Sequence, residues 1–286
     1  MHTSSVTRRD FLKRAGGAAA AAAVAPGAFA ASAQGRTPVG VQLYCVRREL
    51  PDDPAGVLRE LKAIGYQCVE FAGFHNRPPA EWKRMLDDNG LIAEGHHLGF
   101  NNLIGDALKQ TADDNAVIGN QQLIVPSLGE ARISPRDTFM RTIEQINQIA
   151  ESLKPYGMRV GFHSEAGFFR EVDGARPWDV LADNTSPDVV LQLDTGNVQS
   201  ATPEGVDVVQ VFRRNPGRIK TMHVKPFSRA KADAFIGEDQ LPWADIVAES
   251  QRQNIEWYVI EYEREEHPPL EALRANLAGF RRFFPQ

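Results

Sequence analysis

The segment PDVVLQLDTGN, residues 187–197, joins a short apolar run to a single carboxylate at its end. Short apolar runs rich in β-branched residues are typical of buried strands, so residues 189–194 predict a strand. Burying the Asp194 carboxylate without a partner would be costly, and we therefore expect a cation or strong hydrogen-bond donors beside it. The alternative role for Asp194 is the N-cap of the helix that follows.

Similar runs recur along the chain at intervals of about 25 to 40 residues, the length of one strand, one helix and two loops. The eight predicted strands are Val39–Tyr44, Gln67–Phe71, Ile92–His97, Gln122–Val125, Arg159–His163, Val189–Asp194, Thr221–Val224 and Trp257–Tyr262.

Helical patterns lie between the predicted strands. Pro54–Ile64 and Thr138–Leu153 carry apolar residues at steps of three and four, and Gly65 and Gly157 follow where C-terminal caps are expected. Eight strand–helix units in one unbroken chain predict an α/β fold, a single-domain (β/α)8 TIM barrel over residues 34–286. An open doubly wound sheet is the competing topology, but no Gly-rich phosphate loop follows the first strand.

The N-terminal residues have the features of an export signal. Residues 7–13, TRRDFLK, resemble a twin-arginine signal, and the Ala-rich stretch 15–24 is shorter and less apolar than a membrane-spanning helix. Small-x-small cleavage patterns follow, and we favour cleavage after Ala33. The sequence therefore predicts a twin-arginine signal peptide over residues 1–33 and a periplasmic location, with a disordered basic N-terminus as the alternative.

Composition and charge restrict the partners. The chain has 42% hydrophobic residues and a net charge of −5. This hydrophobic content is enough for a sizeable core, and the acidic balance argues against nucleic acid as a partner. No stretch after the signal is long and apolar enough for a membrane span. Cys45 and Cys68 are predicted to be buried strand residues at different heights, too far apart to form a disulfide; a disulfide formed in an oxidising compartment is the alternative. An oligomer remains open.

Polar residues interrupt the predicted strands near their C-terminal ends. Buried parallel strands are almost purely apolar, and the active sites of barrel enzymes lie at the C-terminal ends of the strands. Residues i and i+2 share a face, so four pairs are predicted to point into one pocket: His163 with Glu165, Gln192 with Asp194, His223 with Lys225, and Glu261 with Glu263. Further polar residues at strand ends are Gln42, Tyr44, Glu70, His96 and His97, of which the two histidines alternate in direction.

Two histidines and at least two carboxylates form a mixed nitrogen and oxygen donor set, which suits Mn²⁺, Co²⁺, Zn²⁺ or Mg²⁺. Each candidate ligand also has a structural alternative. The alternative for His223 is a hydrogen-bonded core histidine, and the alternative for Glu261 is an ion pair with an arginine. Glu70 suits either a pair inside the barrel or a substrate contact, and residues 263–266 are typical of a solvated loop.

The segments VGVQLYCVR, GYQCVEFAG, GHHLGF, GFHS, LQLDTGN, MHVKP and WYVIEYE occur in this order. Together they resemble the sugar phosphate isomerase/epimerase family, whose members are xylose-isomerase-like (β/α)8 barrels related to endonuclease IV. The resemblance spans about residues 38 to 284. It implies a divalent metal held at the ends of strands five to eight by His163 or Glu165, and by Asp194, His223 and Glu261.

The sequence departs from the family pattern at two of these motifs. Members that epimerise ketoses usually have glutamate as the fifth-strand ligand, where this chain has His163. The usual His-x-Lys-Asp motif ends here in Pro226. Both departures argue against simple ketose 3-epimerisation and leave the metal site plausible.

The resemblance implies a metal-dependent isomerase or epimerase that acts through an enediolate. Export favours an unphosphorylated sugar or keto-sugar as the small-molecule substrate. Glu261 and Glu165 are expected to act as base and acid, and Lys225 to polarise a substrate oxygen. The residues expected to bind the sugar are Gln42, Tyr44, Glu70 and His97.

Other functions fit parts of the same pattern. A metal-dependent lyase or dehydratase acting on a keto-sugar or glycoside would use the same residues if a leaving group lies β to the carbonyl. A non-catalytic periplasmic carbohydrate-binding barrel would not need two carboxylates beside the metal. A nuclease would need lysines and arginines clustered at the strand ends, and the sequence lacks them.

Overall fold

A computed structural model describes residues 37–284 of the chain. Eight parallel strands follow one another around a closed barrel, in which the last strand pairs with the first. The strands are β1 (Val39–Gln42), β2 (Cys68–Phe71), β3 (Ile92–His97), β4 (Gln122–Val125), β5 (Arg159–His163), β6 (Val190–Asp194), β7 (Ile219–Val224) and β8 (Trp257–Ile260).

Helices connect successive strands on the outside of the barrel. They are α1 (Pro54–Ile64), α2 (Pro79–Asn89), α3 (Asp106–Ile118), α4 (Glu130–Ile133), α5 (Arg136–Leu153), α6 (Pro177–Asn184), α7 (Thr195–Ser200), α8 (Val208–Arg214), α9 (Trp243–Arg252) and α10 (Pro269–Arg281). The predicted (β/α)8 TIM barrel is therefore confirmed.

Local sequence signals set the ends of the helices. At the start of α1, Asp53 Oδ1 accepts a hydrogen bond from Gly56 N at 2.8 Å, and Pro54 occupies the first turn, where its missing N–H has no cost. The helix ends at Gly65, whose φ of 116° is left-handed and suits glycine. Both predicted ends of α1 are confirmed, whereas α5 begins at Arg136, two residues before the predicted start.

Five predicted strands have at least one displaced end, and β1 shows the physical cause most clearly. The predicted strand Val39–Tyr44 ends at Gln42. The Gln42 side chain accepts a hydrogen bond from Tyr44 N at 3.0 Å, and Leu43–Val46 then form a 3-10 turn. Cys45 lies in this turn, so its assignment to a strand was wrong. Both cysteines are buried and free.

Two further sequence predictions concern membrane spans and the signal peptide. Within residues 37–284, no helix has both the length and the hydrophobicity needed to cross a bilayer. The predicted signal peptide, residues 1–33, and its cleavage site lie outside the described residues and stay predictions.

Candidate metal centre

Four side chains that the sequence singled out meet inside the C-terminal end of the barrel. His163 ends β5, Asp194 ends β6, His223 lies in β7 and Glu261 follows β8. One ligand atom from each lies within 4.8 Å of the others, and all four residues are buried. We call these four residues the ligand cluster. Strand pairing contributes directly, because Asp194 and His223 are register partners in adjacent strands.

The imidazole of His163 is oriented for ligation through Nε2. Its Nδ1 lies 2.8 Å from Gln192 Oε1, an acceptor, so Nδ1 carries the proton and Nε2 keeps its lone pair. Nε2 lies 3.7 Å from Asp194 Oδ2. Burial lowers the pKa of His163 well below its usual value, and the neighbouring histidines lower it further. A neutral imidazole is the form that binds a metal ion.

Asp194 forms the helix cap that its sequence position suggested, and its second carboxylate oxygen faces the ligand cluster. Its Oδ1 accepts a hydrogen bond from Asn197 N at 2.7 Å and caps α7. Its Oδ2 is buried and has no hydrogen-bond partner among residues 37–284. Burial raises the pKa of this carboxyl to about 7, and Lys225 opposes the shift. A buried oxygen without a partner, aimed into a cluster of nitrogen and oxygen donors, is an observation that favours a cation there.

His223 lies between two carboxylates. Its Nε2 is 2.5 Å from Glu70 Oε2, and its Nδ1 is 3.1 Å from Glu261 Oε2. Only Nδ1 faces the rest of the ligand cluster, with Asp194 Oδ2 4.0 Å away. Nδ1 is therefore the candidate ligand atom, and Nε2–H donates to Glu70. A carboxylate behind a ligating histidine fixes the tautomer and raises the basicity of the ligand.

A polar network supports the ligand cluster from below. The Glu70 carboxylate accepts hydrogen bonds from Gln42 Nε2 at 2.7 Å and from Gln192 Nε2 at 2.6 Å. Gln192 Oε1 in turn contacts Nε2 of His97 at 2.7 Å and Nδ1 of His163. Burial opposes ionisation of Glu70, but His97 and His223 lower its pKa to about 2. Glu70 is thus an anion that orders the histidines above it.

The four predicted sugar-binding residues lie in two places, the network below the ligand cluster and the cavity above it. Gln42 and Glu70 have no exposed surface and lie in the network below the ligand cluster. His97 and Tyr44 line the cavity above it. His96 points away from the cavity, and its Nδ1 lies 3.0 Å from Asn115 Oδ1. The structure therefore brings two of the four residues to the cavity surface.

Lys225 joins the ligand cluster to the rim of the barrel. Its ammonium lies 3.2 Å from Glu261 Oε2 and 3.8 Å from Asp194 Oδ2, and it also pairs with Glu263. Burial lowers the pKa of Lys225, but these three carboxylates outweigh burial and raise it well above the usual value. Burial likewise raises the pKa of Glu261, but Lys225 and His223 outweigh it, and this pKa lies well below its usual value. Lys225 is therefore a cation and Glu261 an anion.

A cavity of about 440 Å³ opens above these groups, a volume within the range of small-molecule sites. We call it the inner lobe. Its lining includes His163, Lys225, Glu261, Glu165 and Glu263. Glu165, which the sequence offered as an alternative ligand, is not one of the four ligand-cluster residues. It lies in the wall of the inner lobe, on the same cavity as Glu261.

Some residues at the site were not assigned a role from sequence. Glu263 had two sequence interpretations, a pocket residue beside Glu261 and part of a solvated loop; it lines the inner lobe with Glu261, is partly buried and pairs with Lys225. Asn197 lines the cavity, and its Nδ2 donates to Ser164 O at 3.0 Å. Gln192 was noted at a strand end, and its i, i+2 relation to Asp194 was the available signal. Asn197 belongs to the LQLDTGN motif, but no role was predicted for it.

The ligand cluster fits a divalent metal ion. Two imidazoles and two carboxylates are borderline and hard donors, the set that suits Mn²⁺, Co²⁺, Zn²⁺ or Mg²⁺. Three features meet what such an ion requires: Asp194 Oδ2 has no hydrogen bond within residues 37–284, the Nε2 lone pair of His163 has only a long contact of 3.4 Å from Asn197 Nδ2, and a carboxylate lies behind His223. The roles of the four residues as ligands stay a prediction.

The closed barrel and the ligand cluster at its C-terminal end define an α/β-barrel protein with a candidate metal centre. A family model described as xylose isomerase-like TIM barrel matches residues 58–283. The chain therefore belongs to the xylose isomerase-like TIM barrel family. A comparison with curated proteins finds no significant match in sequence.

Solved structures share the fold. A sugar phosphate isomerase/epimerase from Parabacteroides distasonis superposes with a TM-score of 0.75 at 23% identity, over 86% of this chain and 96% of that chain. An L-ribulose 3-epimerase gives 0.68 at 16% identity, over 87% and 96%. A 3-keto-D-glucoside 4-epimerase from E. coli gives 0.63 at 16% identity, over 86% and 100%. At these identities the likeness shows the fold alone.

Proposed function

We propose that this protein is a divalent-metal-dependent sugar isomerase or epimerase that acts on an unphosphorylated sugar or keto-sugar. The observation that carries the proposal is the ligand cluster, in which Asp194 Oδ2 is buried without a hydrogen bond within residues 37–284 and lies 3.8 Å from the Lys225 ammonium. Structural neighbours named as an L-ribulose 3-epimerase and a 3-keto-D-glucoside 4-epimerase support the same class of reaction.

The proposed chemistry is proton transfer at a carbon next to a carbonyl. A divalent ion held by the ligand cluster supplies Lewis-acid stabilisation of negative charge on substrate oxygens. Glu261 is the proposed base. Its Oε2 faces His223 and Lys225, while its Oε1 has no hydrogen bond within residues 37–284 and belongs to a side chain that lines the inner lobe.

Two other side chains complete the proposed reaction. Glu165, in the wall of the inner lobe, returns a proton to the neighbouring carbon or to the opposite face, which gives isomerisation or epimerisation. The Lys225 ammonium donates a hydrogen bond to the substrate oxygen on which charge develops. His97 and Tyr44 line the same lobe and are proposed to position the sugar.

We also propose that the protein works in the periplasm after twin-arginine export. The support is the TRRDFLK segment and the cleavage pattern that ends at Ala33. Folding before export lets the chain acquire its metal in the cytoplasm, where metal availability rather than affinity order decides which ion is kept. Expression with and without residues 1–33, followed by cell fractionation, tests this location.

Metal analysis is the first test of the proposed function. We expect about one divalent ion per chain in the purified protein, and its loss in an Asp194→Asn, His223→Gln double variant. Asn at position 194 keeps an oxygen that caps α7, so loss of metal is separated from loss of the cap. Asp53→Asn is the matched control, because Asp53 caps α1 and has no part in the ligand cluster.

The second test is catalysis. Candidate keto-sugars are incubated with the metal-loaded protein in D₂O, and deuterium uptake next to the carbonyl is followed by NMR. Exchange with formation of an epimer or isomer supports the proposal, and loss of a β-substituent instead identifies a lyase. Sugar binding without any exchange would identify a binding barrel and refute the proposed function.

A further inference from the structure

The cavity continues beyond the inner lobe. A second space of about 390 Å³ is lined by Arg47, Pro226, Phe227, Ala232, Ala234 and Tyr262, among other residues. We call it the outer lobe. Both lobes share Tyr44, Asn197, Lys225 and Glu263 in their linings, so they adjoin beside the proposed reacting groups. A substrate that reacts at Lys225 therefore has space on two sides.

The outer wall of this second space is fixed by specific contacts. The connection from β7 to α9, residues 225–242, crosses the rim of the barrel and is tied to the segment after β8. Tyr262 Oη donates to Asp233 O at 3.0 Å, and the rings of Tyr262 and Phe235 lie 5.5 Å apart. Asn276 Oδ1 accepts a hydrogen bond from Ile236 N at 3.0 Å. These contacts hold the connection of residues 225–242 in place, so the wall of the outer lobe is a fixed part of the fold.

The lining of the outer lobe suits an uncharged ring. Tyr44 is 43% exposed and lies at the junction of the lobes, while Phe227 and the alanines add apolar surface. The cation of Arg47 is paired with Glu265 at 3.2 Å and lies over the Tyr44 ring at 4.4 Å. The cation of Lys225 is paired with carboxylates of the inner lobe. Both cations are therefore paired with carboxylates and not free to bind a phosphate. The third cation of the lining, Arg264, is exposed.

We propose that the outer lobe binds a second ring joined to the reacting sugar, so that the substrate is a keto-glycoside and not a free keto-sugar. This inference rests on the function proposed above. The inner lobe takes the keto-sugar unit next to the ligand cluster, and the outer lobe takes its aglycone. An aromatic aglycone and a second sugar ring both present a ring face that can pack against aromatic and apolar surface.

The test compares deuterium exchange for three probes: 3-keto-D-glucose, its phenyl glycoside and a 3-keto disaccharide of glucose. We expect kcat/KM for at least one of the two glycosides to exceed that of the free sugar by about tenfold or more, because even one buried methylene group discriminates on that scale. The preferred glycoside then identifies the aglycone as aromatic or sugar.

A pair of variants connects the preference to the outer lobe. Ala232 is exposed and lines this lobe, whereas Ala230 is exposed in the same connection and does not line it. Ala232→Phe is expected to remove the preference for the glycoside while exchange of the free sugar continues, and Ala230→Phe to change neither. Equal kcat/KM for all three probes, or equal effects of the two variants, would overturn this inference alone. No exchange with any probe would overturn the proposed function and this inference with it.

Discussion

Replacing Glu70 with glutamine tests whether the network below the ligand cluster orients His223. Glu70 Oε2 accepts from His223 Nε2 and Gln42 Nε2, and Oε1 accepts from Gln192 Nε2. Glutamine has the same shape but only one acceptor oxygen. If the new NH2 group takes the position of Oε1, it faces the NH2 group of Gln192. If it takes the position of Oε2, it faces the donors of His223 and Gln42. Each orientation therefore places a donor against a donor and breaks the network.

The expected result of Glu70→Gln is metal binding weaker by about 10- to 100-fold, the usual effect of losing an outer partner of a ligating histidine. This equals about 1.4 to 2.7 kcal/mol of binding free energy. The assay is a competition titration of Mn²⁺ or Co²⁺ against a metal-binding dye, at a pH where the wild-type protein is fully folded.

Glu94 provides the matched control for this experiment. It is also a buried glutamate of the barrel, but burial and the charge of Glu70 raise its pKa well above the usual value, which favours its neutral acid form. Glu94→Gln therefore preserves both shape and charge, and we expect metal affinity within about twofold of wild type, below the range for a lost outer partner. An affinity of Glu70→Gln within the same range, or an equal loss in both variants, would refute the role given to Glu70.

Three further predictions concern the ligand cluster. Removing the metal with a chelator is expected to lower the Tm, because a free metal concentration about 100 times Kd stabilises the folded protein by about 2.7 kcal/mol. Scanning calorimetry should show a fall in Tm of roughly 5 to 10 °C, which added metal reverses. Glu261→Gln is expected to abolish deuterium exchange because the proposed base is lost; exchange at the wild-type rate in metal-loaded protein would contradict this. Lys225→Met is expected to lower kcat by about 10²- to 10³-fold, the effect of losing one donor to a developing negative charge; bound metal measured in the same sample separates this effect from loss of the ion.

Three predicted strands, Ile92–His97, Gln122–Val125 and Arg159–His163, are confirmed at both ends. The boundary signals are clearest for Gln122–Val125, which lies between the polar pair Asn120-Gln121 and Pro126. The predicted end of β1 at Tyr44 failed for a reason outside periodicity. A side-chain hydrogen bond from Tyr44 N to Gln42 turns the chain before its apolar run is complete.

Local sequence patterns likewise predicted only the part of the site that lies at strand ends. His163, Asp194, His223 and Glu261 each break an apolar pattern at a strand end, so sequence alone marked all four. The network under them depends on pairings between distant parts of the chain: Gln192 contacts His97, 95 residues away. No local pattern contains that information.

The two interpretations of Asp194 show why competing assignments need not exclude each other. A helix N-cap uses one carboxylate oxygen, and Asn197 N accounts for Oδ1. The second oxygen is buried and has no hydrogen bond within residues 37–284, and it faces His163, His223 and Lys225. The cap fixes the direction of the carboxylate, and that direction places Oδ2 at the centre of the ligand cluster. The structural role of Asp194 therefore prepares its proposed role as a ligand, and Asp194→Asn separates the two by keeping the cap while weakening the metal site.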